Sequence, residues 1–466
     1  MESYFPLYEP SLTHSLGITT MAAMNQSTDL QVLVIGAGPS GLVTLKTLRQ
    51  LGIMATCVDR GERIGGNWDI QSPFSSVYHS THLISSKGMT QFADFPMPEG
   101  YPEYPSHHQV LAYLNSYADR FGLGQYIRKK ITVNRVEKAN DGWILTVSPS
   151  DGLSSTVEKY DAVVIANGHH AIPMMPEFAG KFSGEMIHAH DYKHQRQLEG
   201  RRVLVVGAGN SGCDIAVEAA IHGQSAAISM RRGYHFFPKF IRGKPADIVG
   251  DRVRRWPIPR SWQRRLSQLV VDWTIGRPQR YGLPKPEHRL FETHPIINSQ
   301  LPYYAGHGKL AIFPDIRLLD GDQVEFTDGR RETFDTIILA TGYQLTFPFI
   351  EPELLNTMDG IPKLYLHAFH PTDDTLFVAG MIQPNSGQWP LTDLQAQIIA
   401  RFLKARQKGS PAAEAFRQQK RSTQSAATSR DHFLATPRHR LEVDYFEYRR
   451  TLQKIVRQLD AAGAAG

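Results

Sequence analysis

The chain has 466 residues, too many for one ordinary core, so it divides into at least two domains. Apolar residues make up 41% and charged residues 21%, which excludes a disordered or low-complexity chain. The net charge of +6 is uneven: residues 231–290 hold fifteen Lys or Arg against four Asp or Glu, a local excess of +11. No nucleic-acid motif accompanies that excess, so nucleic acid is not an expected partner. The segment reads as a solvated basic insertion that helps attract an anionic cofactor.

Residues 1–29 carry no basic segment followed by an apolar run, and are expected to form a loose extension in which Met21 and Met24 are alternative starts. The run Leu30 to Ile35 is short, apolar and β-branched, as a buried parallel strand is. Gly36-Ala-Gly-Pro-Ser-Gly41 follows, then a helix from Leu42 to Leu51 and a second strand from Ala55 that ends at Asp59. Cys57 lies in this second strand and Cys213 in a later helix; both read as reduced buried thiols, in keeping with a cytoplasmic protein. The pattern repeats about 170 residues on. Arg202 to Val206 is a strand, Gly207-Ala-Gly-Asn-Ser-Gly212 the turn, Asp214 to Ala220 a helix, and Ala226 to Met230 the next strand. Apolar strands ending in small-Gly turns, Ala162 to Gly168 and Thr336 to Gly342, close the two units. No stretch reaches the ~18 apolar residues that span a bilayer.

One Gly-x-Gly-x-x-Gly match is weak evidence, but two, each behind a strand and opening a helix, are strong. Gly36 and Gly207 permit the tight turn, Gly38 and Gly209 admit a pyrophosphate to the backbone, and Gly41 and Gly212 let helix and strand pack closely. The helix N-terminus supplies N–H groups to the phosphates. The second strands separate the ligands. Asp59, 23 residues after Gly36, accepts hydrogen bonds from a ribose diol and repels a 2′-phosphate. At the same offset from Gly207 stands Met230, followed by Arg231 and Arg232, whose guanidinium groups suit a 2′-phosphate. The first unit is therefore expected to hold FAD and the second NADPH. The expected fold is α/β with two Rossmann-like domains, the NADPH domain (196–340, with the basic insertion 240–290) set within the FAD domain (30–195 and 341–466). Trp256, Trp262, Leu266, Leu269, Val270 and Trp273 suggest an amphipathic lid over the NADPH–substrate cleft, or a helix packed on its domain, and leave a membrane contact open.

Residues 182–193, Phe-Ser-Gly-Glu-Met-Ile-His-Ala-His-Asp-Tyr-Lys, match the fingerprint Phe-x-Gly-x-x-x-His-x-x-x-(Tyr/Phe) at Phe182, Gly184, His188 and Tyr192. On this the chain resembles the flavin-containing monooxygenases; the similar Baeyer–Villiger enzymes have Trp where Tyr192 stands. Gly65-Gly66-Asn67-Trp68, the turn Gly207 to Gly212, and Ala340-Thr341-Gly342-Tyr343 are similar to further family segments. The resemblance covers about residues 30–400. It implies that Pro39, Ser40, Gly66, Asn67, Trp68, Asn210, Ser211, His188, Thr341 and Gln395 join the glycines in binding the cofactors, with His188 positioning rather than transferring protons. It further implies that NADPH reduces FAD, that reduced FAD and O2 form a C4a-hydroperoxide, and that a small organic substrate takes one oxygen atom at nitrogen or sulfur. The family usually has Asn beside the flavin where this chain has Ile84, flanked by Ser85, which implies a leakier oxygen intermediate unless Ser85 substitutes. No metal site is expected, and a homodimer is left open. Competing readings are ketone oxidation and a non-catalytic FAD/NADPH redox sensor; a disulfide reductase needs a close cysteine pair that is absent.

Overall fold

The computed structural model describes residues 29–152, 154–254, 258–422, 433 and 439–461. The expected N-terminal extension and Trp256 therefore lie outside the described residues, Asp29 excepted. The first sheet has five parallel strands in the order Leu376–Val378, Ala162–Ile165, Gln31–Ile35, Met54–Asp59 and Ile127–Lys129. Its apolar runs are buried on both faces, as a sheet covered on each side requires. Helix α1 (Pro39–Gln50) starts on a proline, whose missing N–H costs nothing in the first helical turn. The helix is buried from Gly41 to Leu48 and packs against a long helix near the C-terminus, α8 (Trp389–Gln407).

The second sheet repeats the plan with Glu185–His188, Thr336–Leu339, Arg202–Val206, Ser225–Ser229 and Ala311–Phe313, again all parallel. Its glycine turn opens α4 (Asn210–His222). The two turns are near-copies. Gly36 has φ +109° and Gly207 φ +106°, values open to glycine alone. A Cβ on Gly41 would sit 1.7 Å from the Gly36 carbonyl oxygen, and one on Gly212 2.0 Å from that of Gly207. The chain is thus α/β with two dinucleotide-binding units, and the strand Leu376–Val378 completes the first sheet after the whole second unit has passed.

Sheet membership puts the start of the second unit earlier than the expected boundary at 195–196. Glu185–His188 pairs with Thr336–Leu339, and Gly180–Phe182 pairs parallel with Ile316–Gly321 at the edge of a four-stranded mixed sheet. The apolar content of 185–188 is too slight for sequence to assign it to either sheet. Where the units meet, Ile172–Pro173 and Tyr343–Gln344 run antiparallel as a two-stranded strap.

Two short helices complete the flavin-side region: α2 (Lys87–Thr90) and α3 (His107–Arg120), the latter opened by a capping box of Ser106 and Gln109. In the basic insertion α5 (Ala246–Arg254) packs on α2, while α6 (Arg260–Thr274) buries Val271 and turns its other large apolar residues outward. Trp262, Leu266, Leu269, Val270 and Trp273 are all exposed, Trp273 at 72%. The insertion helix thus packs through Val271 and leaves the stripe from Trp262 to Trp273 uncovered. A further short helix, α7 (Gln300–Gly306), contacts α4. The C-terminal region is helical as expected: α9 (Pro411–Ser422) and α10 (Tyr445–Ala461), with α10 burying Tyr448, Leu452 and Ile455 against α8. Among the described residues no helix is long and apolar enough to cross a membrane.

Candidate functional site

In the first unit the Gly36 N–H donates to the Val58 carbonyl at 2.8 Å. The Asp59 carboxylate reaches back across the turn, one oxygen accepting from Ala37 N–H at 2.6 Å and the other from Gly61 N–H at 2.7 Å. Asp59 thus fixes the turn while keeping lone pairs for a ribose diol. Gly66 lies against Gly38: a Cβ on Gly66 would be 2.9 Å from the Gly38 Cα. The side chain of Asn67 accepts from the Ser76 N–H and hydroxyl at 2.8 and 2.9 Å, and Trp68 stands edge-on to Trp389 at 6.2 Å. Ser40 faces Gly380, where a Cβ would fall 2.1 Å from the serine hydroxyl oxygen. Gln395 is fully buried; it accepts from Gly380 N–H at 3.0 Å and donates to Tyr448 Oη at 2.8 Å. Both ends of its amide are engaged by protein, so Gln395 sets the Gly380 loop. A crevice at the carboxyl end of the sheet is lined by Asn167, Gly168, Phe347 and Gly380, where open α/β sheets receive ligands.

In the second unit Gly207 N–H donates to Ser229 O at 2.9 Å, Gly209 caps α4 and Ser211 is exposed in its first turn. Asn210 is turned to structure: it accepts from Ile297 N–H at 2.8 Å and donates to Pro295 O at 3.2 Å, anchoring the 295–297 loop. Met230 is buried and offers no acceptor where Asp59 stands in the first unit. Arg231 is exposed beside it, and Arg232 donates to Tyr234 Oη at 3.3 Å. Both turns carry glycines whose missing Cβ leaves helical N–H groups open, the cradle that a dinucleotide pyrophosphate requires. The residues present fit FAD in the first unit and NADPH in the second.

Between the cradles lies a polar seam. His188 is buried; its Nδ1 accepts from His190 N–H at 3.0 Å, and its ring meets Tyr343 edge-on at 5.3 Å. Burial foremost lowers its pKa and keeps the ring neutral, which suits a positioning role. Thr341 donates to Met174 O at 2.5 Å, tying the two connecting segments. Tyr192 is fully buried and bonds Glu218. Asp214, on α4, accepts from Asn298 at 2.6 Å and from Tyr78 at 3.4 Å. Sequence reasoning passed over Asp214 and Asn298, because their partners come together only across 84 residues of chain.

On the flavin side Ile84 and Ser85 are both half-buried, and the Ser85 carbonyl accepts from Thr90 at 3.5 Å. Next to them Ser86 is wholly buried, its N–H donating to Asp247 of α5 at 2.7 Å and its hydroxyl without a partner. Lys87 donates to the carbonyls of Glu99 and Tyr101 at 2.9 and 2.6 Å. With Arg254 bonded to Asp444 at the start of α10, α5 clamps the insertion to the first unit at two points. Sequence gave no signal for Asp247, one of four acids amid fifteen bases.

Two nested dinucleotide cradles in one chain define a two-nucleotide oxidoreductase. The family described as flavin-binding monooxygenase-like matches residues 29–461, and the chain belongs to it. It is 34% identical over 393 residues to human flavin-containing monooxygenase 2, an alignment that spans 80% of this chain and 73% of that one. Among solved structures it is similar to S-allyl-L-cysteine S-oxygenase from Allium sativum, with 23% identity, a TM-score of 0.63 and coverage of 91% and 88%. It is also similar to cyclohexanone monooxygenase from Rhodococcus sp. Phi1, with 17% identity, a TM-score of 0.66 and coverage of 93% and 98%. The chain is a flavin monooxygenase that uses FAD, NADPH and oxygen.

The seam makes stability depend on pH. Burial pushes the Asp214 carboxyl up to about 6, Glu218 adding to the effect and Lys239, Asn298 and Tyr78 opposing it. A folded pKa above the unfolded value means that the contribution to stability is full below about 3.8 and is lost as pH rises through about 6. Asp214→Asn keeps an acceptor for Asn298 and removes the buried charge. It is expected to melt a few degrees above the parent near pH 8, about 1–3 kcal/mol, with the difference closing by about pH 4. A thermal melt series across that range checks both the sign and the window; equal melting temperatures at every pH would remove Asp214 as the source.

Proposed function

We propose that this monooxygenase transfers oxygen to a soft nucleophile, an amine nitrogen or a thioether sulfur, on a small molecule. The observation that carries the reading is Tyr192: the fingerprint position that separates nitrogen- and sulfur-oxidising enzymes from ketone oxidisers holds a Tyr, buried and bonded to Glu218. A relative from Pan troglodytes, 34% identical over 393 residues and described as an N-oxide-forming dimethylaniline monooxygenase, supports the same reading. When bound, NADPH supplies hydride and reduced flavin activates O2. The protein's part is placement and exclusion of water. Gly36, Gly38, Gly41, Ser40 and Asp59 hold the flavin nucleotide, Gly66 to Trp68 border it, and Gly207 to Gly212 with Thr341 hold NADPH. Ile84 stands in the half-buried flavin-side segment where the family resemblance implies a side-chain amide, so this chain would offer a bound flavin one hydrogen-bond partner fewer there and would couple NADPH use to oxygen transfer less tightly. A panel of amines, thioethers and ketones with product mass analysis and peroxide counting tests this. Expected are N- or S-oxides, with Ile84→Asn lowering the peroxide share ~2- to 13-fold, the equivalent of one hydrogen bond of about 0.5–1.5 kcal/mol. Lactone or ester products from ketones, with no N- or S-oxide, would overturn the reading.

Arg231 and Arg232 select NADPH over NADH in this proposal. A charge-assisted hydrogen bond is worth about 1.5–3 kcal/mol, so replacing both with Ala is expected to raise KM for NADPH by at least ~10-fold while moving that for NADH little. A parent enzyme that uses both nucleotides equally well refutes the assignment.

The outward face of α6, Trp262, Leu266, Leu269, Val270 and Trp273 on a basic insertion, fits an anionic lipid surface, where tryptophan and basic residues are favoured together. Sedimentation with anionic vesicles is expected to pull down the parent at low salt and to fail for Trp262→Ser with Trp273→Ser. Salt-independent solubility with a concentration-dependent dimer would assign the face to a second copy of the chain.

A further inference from the structure

Outside the cofactor sites, three imidazoles converge where the two units meet. One nitrogen from each of His79, His107 and His108 lies within 4.8 Å of the others. We propose that these histidines bind a borderline divalent transition cation of the zinc class.

His107 is the centre of the arrangement. It is the first residue of α3, its backbone N–H donates to Thr81 O at 2.9 Å, and its side chain is completely buried. Neither of its ring nitrogens makes a well-formed hydrogen bond, though the ring faces the His79 backbone. A buried imidazole normally satisfies at least one nitrogen, and a ring left this poorly satisfied calls for an explanation in ligand chemistry. His108 packs on it with ring centroids 3.8 Å apart, and His79 approaches edge-on at 6.3 Å.

The donor set decides the cation. Three neutral imidazoles suit zinc, cobalt, nickel or copper, whereas calcium and magnesium demand oxygen ligands. Tetrahedral bonds of ~2.0–2.1 Å place ligand nitrogens ~3.4 Å apart. His79 and His108 are exposed and free to swing the remaining ångström toward the fixed His107. A fourth imidazole stands close by: the ring of His194 stacks on that of His79 at 5.1 Å.

The location gives the site a consequence. His79 N–H donates to Lys193 O at 2.8 Å, next to the seam, while His82 and Ser106 form a β-bridge. A cation here fastens residues 79–82 to the start of α3, two residues before Ile84. The site escaped sequence analysis because 28 residues separate His79 from His107 and no familiar ligand spacing joins them.

The test uses the tag-free, FAD-loaded enzyme, stripped with a chelator and titrated calorimetrically with zinc chloride. One equivalent is expected to bind in the micromolar range. His79→Ala and His108→Ala, both at exposed positions, are each expected to weaken that binding by at least ~10-fold without changing the melting temperature of the stripped protein. Zinc is expected to raise the melting temperature of the parent and not of the variants, and cobalt(II) to give a tetrahedral visible spectrum in the parent alone. Absence of binding at 100-micromolar zinc, or binding left unchanged in both variants, overturns the proposal.

Discussion

Everything in this molecule depends on how closely a helix approaches a strand at two glycine turns. The Cα of Gly41 lies so near the Gly36 carbonyl that a methyl group would overlap it, and Gly212 stands to Gly207 in the same way. That closeness points the first turn of each helix past the edge of its sheet, leaving backbone N–H groups directed at open space. An anionic diphosphate fits there because the protein supplies no competing side chain.

From this shared frame the two units diverge by one residue. Asp59 spans the first turn with a carboxylate, binding Ala37 and Gly61, and so presents a negative, hydrogen-bonded rim. Met230 is buried at the equivalent place and carries nothing polar, so the rim of the second unit is defined by Arg231 and Arg232. The two units thus present rims of different character at the same place, a carboxylate in the first and two guanidinium groups in the second. Between them the seam is polar rather than greasy: Tyr78, Asp214 and Asn298 in one chain of bonds, Tyr192 and Glu218 in another. Interfaces of this kind allow adjustment between units more readily than an apolar core does.

What was legible in the sequence was local. Each glycine turn, its flanking strand and helix, and the contrast of Asp59 with Met230 are contained within about thirty residues, and the structure shows those elements within a few residues of where the sequence places them. The strand Glu185–His188 was not assignable, since a four-residue strand takes its identity from its neighbour Thr336–Leu339, distant in the chain. The roles of Gln395 and Asn210 were blurred for the same reason: an amide reads as a ligand-binding group until its protein partners, Tyr448 and Ile297, are known. Helical spacing at 266–273 identified an apolar stripe correctly but could not say which way it faced.

The nesting of one unit in the other also orders events during synthesis. Ala162–Ile165 lies between two neighbours in the finished first sheet, yet one of them, Leu376–Val378, is made about 210 residues later. At a ribosomal pace of roughly 5–20 residues per second, that strand waits some 10–40 s with one apolar edge unpaired. The second unit, whose sheet strands all fall between 185 and 339, has every partner it needs well before then. The nascent chain therefore carries a finished NADPH domain alongside a half-built FAD domain with an open edge. Such an edge is the natural place for a chaperone to bind and for misassembly to begin.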